Sequence, residues 1–414
     1  MQERARRIYN LRMGPRKGSE GVIARISIPY LATVAIAVLL LFAGHRAAAR
    51  GPLVFQNDAQ EVARARVQGT AERAGPGGFG EFGGADGYDD LGDFILMLQG
   101  ERMAFEARIL RGPRRGEVVS AVQTFGGLMP GAEREVAAGD TVLIITFGDE
   151  WFFNGRYRAG RLLWLGALFA LCVLLFGGGK GFNTLLSLGL TCAAVFAVFI
   201  PSILSGGNIY LMALLVCAYT TVATLLIVIG FNKKSLAAAL GCMSGVAATG
   251  IIAVAMDRAL FLTGIVDEHS RFLMFLPVEG EINLRAIIFA GIVIGAMGAI
   301  MDVSISISSA IWEIKERAGA IRFDALMRSG MTIGRDIFGT MANTLVLAYI
   351  GTSLSVILIL LVYTDSLTSL MNMEMIVVEI LQAVAGSFGI LLTIPLTSLF
   401  CSTIFLREGR GPRG

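Results

Sequence analysis

Residues 291–313 read GIVIGAMGAIMDVSISISSAIWE. The run is apolar enough to cross a bilayer, yet Asp302 sits well inside it. On an α-helix each residue turns about 100°. Counted from Asp302, the positions of Gly291, Gly295, Gly298, Ser306, Ser309 and Glu313 all return to within about 40° of one direction. One face therefore reads Gly, Gly, Gly, Asp, Ser, Ser, Glu, and the other faces are Ile, Val, Ala and Met. From Asp302 to Trp312 is about 15 Å of helical rise. With Trp312 at an interface, the carboxyl falls near the middle of a hydrocarbon core about 30 Å thick. An ionised group at that depth costs several kcal/mol unless it is paired, hydrated or protonated. The glycines let a neighbouring helix approach closely, and the serines supply hydrogen bonds.

The rest of the chain agrees with that reading. Of 414 residues, 55% are hydrophobic and 16% charged, against about 25% charged for a soluble domain. The sequence predicts an α-helical polytopic membrane protein with eight transmembrane helices, at about 26–44, 162–178, 183–204, 209–231, 236–256, 285–311, 337–363 and 376–405. The five cysteines lie in apolar runs without a CxxC pair, and there are two histidines. A disulfide framework, a thiolate zinc site and a histidine-rich metal site are therefore not expected.

Residues 1–25 hold seven Arg or Lys against two Glu, and an apolar run follows. That order keeps the N-terminus in the cytoplasm and makes the first run a signal anchor. Ala47-Ala48-Ala49 has the small-residue pattern of a signal-peptidase site, but the length of the run favours retention as a span. Residues 46–160 are hydrophilic, with 13 Arg against 16 Asp and Glu. Alternating, β-rich pieces at Glu61–Thr70, Met103–Leu110, Glu117–Thr124 and Thr141–Phe147, with turn signals at Gly112-Pro113 and Gly139-Asp140, predict a small β-barrel or sandwich. Gly75–Asp90 reads as a solvated loop. The cationic connectors are Lys180, Lys233-Lys234, the 313–336 loop with five Arg or Lys, and the Arg407–Arg413 tail. They alternate with connectors poor in cations, which predicts both termini in the cytoplasm, an extracytoplasmic β-rich domain and a cell-membrane location.

Residues 313–336 read as an amphipathic helix lying along the inner face. The next span opens with Arg335 and Asp336, and Asp336, Thr340, Asn343 and Leu347 share one direction. This stripe enters the membrane where the Ser306–Glu313 stripe leaves it. The two spans run antiparallel, so the stripes are expected to face each other and to bring Asp302 within reach of Asn343 or Thr340. Gly241 and Gly245, like Gly291 and Gly295, have the small-xxx-small spacing of close helix packing. Glu379 and Gln382 lie one turn apart early in the last span, and Pro395 lies further in.

The runs GAIMDVSISISSAIWEI (298–314) and GRDIFGTMANTLVLAYIG (334–351) resemble the YibE/F family of bacterial multi-spanning membrane proteins. The layout resembles it too, with one N-terminal span, an external β-rich region and a packed helical block over most of residues 60–405. The resemblance implies the fold and little about activity. The order of an acidic span, a charged link and a Thr/Asn-bearing span is also similar to the proton-conducting unit of RND-type transporters and SecD/SecF. There Asp302 would match the proton-carrying carboxylate, although Val303 stands where those carriers often have a second acid.

No P-loop, HExxH or GxSxG motif is present, so no enzymatic activity and no cofactor are expected. The basic runs are short and juxtamembrane, where they meet anionic lipid rather than nucleic acid. Two readings remain. In one, the protein is a permease or an ion-coupled transporter in which Asp302 binds a proton or small ion, with Ser306, Ser309, Thr340, Asn343 and Asp336 as relay groups. In the other it is a structural or regulatory membrane protein. Asp302 then stays protonated as a hydrogen-bond donor, and the external domain recruits a protein partner or a second copy.

Overall fold

The computed structural model describes residues 28–48, 61–69, 72–74, 101–125, 134–147, 150–276, 282–318, 321–364 and 366–406. The basic N-terminus, the Gly75–Asp90 loop and the Arg407–Arg413 tail lie outside them. The chain divides into two units, one of residues 55–171 and one of residues 1–54 with 172–414.

The smaller unit is built on six strands: β1 (Val62–Val67), β2 (Glu72–Ala74), β3 (Glu101–Ile109), β4 (Val118–Phe125), β5 (Thr141–Phe147) and β6 (Glu150–Arg156). Their order is β1-β5-β6-β4-β3-β2, and β1 also pairs with β3. Five strands therefore close into a ring, with β2 added to β3 at its edge. All pairs are antiparallel except β4–β6. That closed Greek-key connectivity is of the OB type. Period-two alternation fills the interior with Ala63, Ala65, Val67, Phe105, Ala107, Ile109, Val142 and Ile144, as the pleat requires. Arg66, Glu106 and Arg108 point outward. Gln123 is fully buried among them, and its Oε1 accepts the Val136 backbone N–H at 3.1 Å. The four expected β-pieces are β1, β3, β4 and β5. The closing strand β6 was not anticipated, because EWFFNGR opens on an acid and ends in Asn-Gly, a turn signal. The chain absorbs that signal as an irregularity at Leu143/Ile144 opposite Gly155, whose φ is +150°.

The larger unit is helical. Its helices are α1 (Ile28–Ala48), α2 (Ala159–Ala194, begun in the smaller unit), α3 (Ile200–Leu204), α4 (Ile209–Val228), α5 (Lys233–Ala259), α6 (Glu268–Leu273), α7 (Leu284–Ala318), α8 (Phe323–Thr352), α9 (Leu354–Tyr363), α10 (Leu367–Asn372) and α11 (Glu374–Leu406). A π-helical turn, Val195–Phe199, joins α2 to α3. Among the described residues, six helices are long and apolar enough to cross a membrane, or seven if the bent pair α8–α9 is one span. Their outward residues are large and apolar, such as Leu163, Phe176, Leu215, Ile251 and Val362. A surface of that kind is at home against lipid. The protein is a multi-pass membrane protein.

Two expectations change in detail, and the turn between the second and third spans takes a definite form. The runs 162–178 and 183–204 share α2 and its continuation. The helix breaks at Gly178 (φ +52°, ψ −129°), and Gly181 lies against the Val173 carbonyl. Residues eight apart in an unbroken helix stand about 12 Å from each other, so the chain reverses there. The 313–336 segment is not a separate surface helix. Residues 323–336 are the first turns of α8, held in the bundle by Gly330 and Gly334, which lie directly on Ser398 and Ile394 of α11. The run 337–363 is not one straight span, since α8 and α9 meet at 63°.

The core is the meeting of α5, α7, α8 and α11 on small residues. Gly241 abuts Thr397, Gly245 abuts Thr393 and Ile300, Gly389 abuts Thr249 and Ile300, and Gly386 abuts Leu345 and Ala296. Without side chains there, the backbones approach closely, which is how membrane helices gain dispersion contact where lipid offers no hydrophobic drive.

Candidate functional site

Asp302 lies in the middle of α7, on its exposed face. The buried face of the same helix is Ile292, Val293, Ala296, Ile300, Val303, Ser304, Ile307, Ser308 and Ile311. Gly291, Gly295, Gly298, Ser306 and Glu313 share the exposed side with Asp302, and Ser309 is half-buried. On one side of this stripe Met297 takes a 3.0 Å hydrogen bond from the Thr220 hydroxyl of α4. On the other side Ala296 meets α11 at Gly386, beside Leu345 of α8. The stripe therefore lines an open strip of α7 between α4 and α8. Among the described residues, Asp302 has no hydrogen bond and no ion pair. Glu313, at the end of the stripe, pairs with Arg317.

The stripe of α8 does not close on this one. Asp336, Thr340, Asn343 and Leu347 are all exposed, which two facing stripes would not be. The hydroxyl of Thr340 donates to its own helix at Ile337, and that of Thr344 donates to Thr340. The reason is rotational. Gly330, Gly334 and Leu345 seat α8 on α11, and that contact turns Asp336, Thr340 and Asn343 outward. Asp302 and Asn343 are thus on adjacent helices but are not bonded to each other.

The glycines divide into two sets. Gly241 lies directly on Thr397 of α11, and Gly245 on Thr393 of α11 and Ile300 of α7. Gly298 has open space around its α-carbon, an added Cβ at Gly291 would come no nearer than 3.8 Å to Gln382 Nε2, and one at Gly295 would stand 2.6 Å from Tyr349 Oη. The upper part of the α7 stripe therefore meets polar atoms of α8 and α11 rather than a close-packed backbone.

Those polar atoms form a cluster that sequence reasoning only half found. Glu379 Oε2 and Tyr349 Oη are buried, and among the described residues neither has a hydrogen-bond partner. The Glu379 carboxylate acts electrostatically on the Tyr349 phenol. Glu379 and Gln382 share a face of α11 by their i,i+3 spacing. Tyr349 was missed because it lies about 140° around α8 from Asp336, off the polar stripe. The hydroxyls that knit the bundle were also missed, being one or two residues from the exposed serines. Ser308 donates to the Lys234 carbonyl at 2.8 Å, and the Ser304 and Thr397 hydroxyls lie 3.4 Å apart. Their 304–308 spacing, one helical turn on the buried face, was the available signal.

A family model described as YibE/F-like protein matches residues 165–407, which is more than half of the chain. The chain belongs to the YibE/F-like family. The match spans the α7 and α8 motifs and nearly all of the helical unit after α1, and it begins after the barrel, so the expected likeness over residues 60–160 is not part of it. No curated protein and no solved structure matches. The site of this YibE/F-like protein accordingly rests on its own geometry: an acid on a glycine-lined face of α7 with no partner among the described residues, and a second set of polar atoms, likewise unpartnered among them, about two turns away.

Proposed function

We propose that this YibE/F-like protein is a permease or a proton- or cation-coupled transporter, with Asp302 as its intramembrane carrier. The observation that carries this reading is the carboxylate itself. It lies about 15 Å of helix from Trp312, and no described hydrogen bond or ion pair compensates it. A carboxylate at that depth is costly enough to be worth keeping only for a purpose. Gly291, Gly295 and Gly298 leave the adjoining helix surface without side chains, which gives water and small ions a way along it. Ser306 and Ser309 continue the polar face toward Glu313 and the charged end of α7. In this reading the chain crosses the cell membrane eight times, α2 counting twice because of the turn at Gly178. Both termini face the cytoplasm and the barrel faces outward.

A second reading is supported by a separate observation, the exposure of Asp336, Thr340 and Asn343 on α8. A polar helix face left open in a bilayer fits a partner helix or a second copy. The two readings separate in one experiment. Purified protein is reconstituted in liposomes holding a pH-sensitive dye, and proton or cation flux is driven by an imposed gradient. Asp302→Asn should insert and fold normally and abolish the flux. Flux of wild-type size in Asp302→Asn would remove the carrier role and leave the partner-surface reading.

A further inference from the structure

Tyr349 of α8 and Gln382 of α11 reach the Gly295 and Gly291 positions of α7, and Glu379 lies one turn from Gln382 on α11. Among the described residues, Glu379 Oε2 and Tyr349 Oη are buried without hydrogen-bond partners, and the Glu379 charge lies within electrostatic reach of the phenol. A carboxylate and a phenol that were in direct contact would form a hydrogen bond. No hydrogen bond joins them among the described residues, so each is an unsatisfied polar atom in a buried place. Buried polar atoms are nearly always satisfied, by protein or by ordered water. The carboxamide of Gln382 faces Gly291, and the phenol of Tyr349 faces Gly295. An alanine at Gly295 would stand 2.6 Å from that phenol oxygen. Polar groups of α8 and α11 thus reach the same face of α7.

The cluster also has a definite place along α7. Gly295 precedes Asp302 by about 10 Å of helical rise on the same face. Between them that face carries Gly298, around which the space is open. The cluster and the carboxylate therefore lie on one glycine-lined strip, the cluster toward the Leu284 end of α7.

We propose that Glu379, Tyr349 and Gln382 hold ordered water and form the mouth at which protons are loaded onto the path to Asp302. A hydronium ion gives its proton to the Glu379 carboxylate and leaves as water. The bridging water takes that proton in turn, restoring the carboxylate, and passes it along the Gly295–Gly298 face, where Asp302 accepts it. Tyr349 orients the bridging water by one hydrogen bond, and Gln382 bounds it on the α11 side. This role rests on the transport reading above, while the water site does not.

Two measurements on the full-length chain test it. Radiolytic hydroxyl labelling in lipid nanodiscs marks side chains beside bound water. Tyr349 should label well above buried Phe405, and Glu379→Gln should lower that labelling. Tyr349 protected as fully as Phe405 would overturn the water site, whatever the flux. In proton-flux liposomes, Glu379→Gln should lower the rate at least tenfold and Tyr349→Phe about threefold, with Glu379→Asp restoring most of the Glu379→Gln loss. Wild-type flux lost in Asp302→Asn but unchanged in Glu379→Gln would overturn the loading role alone. If the wild type carries no proton flux, or if Asp302→Asn keeps it, the transport reading fails and the loading role falls with it. Labelling then still decides whether the water site exists.

Discussion

Gly245→Ala should destabilise the helical unit, and the size of the effect follows from what the new methyl group meets. A Cβ at 245 would stand 2.9 Å from Ile300 Cγ2 and 3.1 Å from Thr393 Cβ, and it would overlap Thr393 Oγ1. Real Cβ atoms do not approach so closely, so α5 must retreat from α7 and α11, or Thr393 must turn. Overpacking of this kind costs about 1–3 kcal/mol. Turning Thr393 also breaks its hydroxyl bond to the Gly389 carbonyl, 2.6 Å long, worth about 0.5–1.5 kcal/mol. Against these stands the better helix propensity of alanine, about 1 kcal/mol. The net loss is about 1–3 kcal/mol. Gly298→Ala is the control. With nothing within 4 Å of its Cβ position, only the propensity gain remains, so the change should be neutral or stabilising by up to about 1 kcal/mol. Both variants and the wild type are unfolded by SDS in mixed micelles and followed by far-ultraviolet circular dichroism. A Gly245→Ala protein as stable as wild type, beside a Gly298→Ala monomer weakened by about 1 kcal/mol or more, would refute the assignment of packing and open glycines.

The loop after α5 is clasped to the start of α11 by Glu374, which accepts from the Thr263 and Gly264 backbone N–H groups at 2.8 and 2.6 Å and from the Thr263 hydroxyl at 2.7 Å. Glu374→Ala should loosen that loop by about 1.5–3 kcal/mol, seen as faster amide exchange at 263–265. In the barrel, Gln123→Leu leaves the Val136 N–H without its 3.1 Å acceptor and should cost about 1–3 kcal/mol, with exchange protection lost at Val136. Asp267 caps α6 by accepting from Ser270, and the Ser270 hydroxyl holds its carboxyl below the ordinary carboxylate range. A lowered folded value means that the cap's contribution is complete above about pH 4, the unfolded value, and fades as the pH falls through the lower folded value. Pepsin cleavage within 268–273 should accordingly rise between pH 4.5 and pH 2.5. Asp267→Asn, which caps without titrating, should flatten that rise.

Much of the fold was legible because two periods were plain in the sequence. The β-rich pieces alternate in twos, and all four became strands of one closed barrel. The apolar runs are long enough to name their helices, and the start of α7 was located to within a residue, although its last two turns run on past the expected end at 311 to Ala318. What escaped was set by contacts between elements. The break between the second and third spans was legible in Gly177–Gly181, but not the reach of Gly181 back to the Val173 carbonyl. The first turns of α8 look amphipathic in isolation, yet Gly330 and Gly334 draw them into the bundle against Ser398 and Ile394. The sequence marks both glycines, but not the residues of α11 that they meet. The same contact decided the failed expectation at the site. Helical arithmetic grouped Asp336, Thr340 and Asn343 correctly on one face, but it could not say which way α8 was turned.

That distinction between a stripe and its direction bears on how glycines in a membrane helix should be understood. The Gly241/Gly245 pair and the Gly291/Gly295 pair have the same spacing, and spacing alone assigns both to helix packing. In the structure the first pair meets Thr393 and Thr397, small side chains whose backbone lies directly behind them. The second meets an amide nitrogen and a phenol oxygen at the ends of long side chains. A glycine of the first kind removes volume so that two backbones can touch. A glycine of the second kind removes volume so that a polar group reaching over from elsewhere has room beside the helix. Only the second kind leads on to Gly298 and Asp302. The carboxylate therefore stands at the end of a strip that side chains have vacated, and the side of α7 facing away from the core is where its chemistry has to be sought.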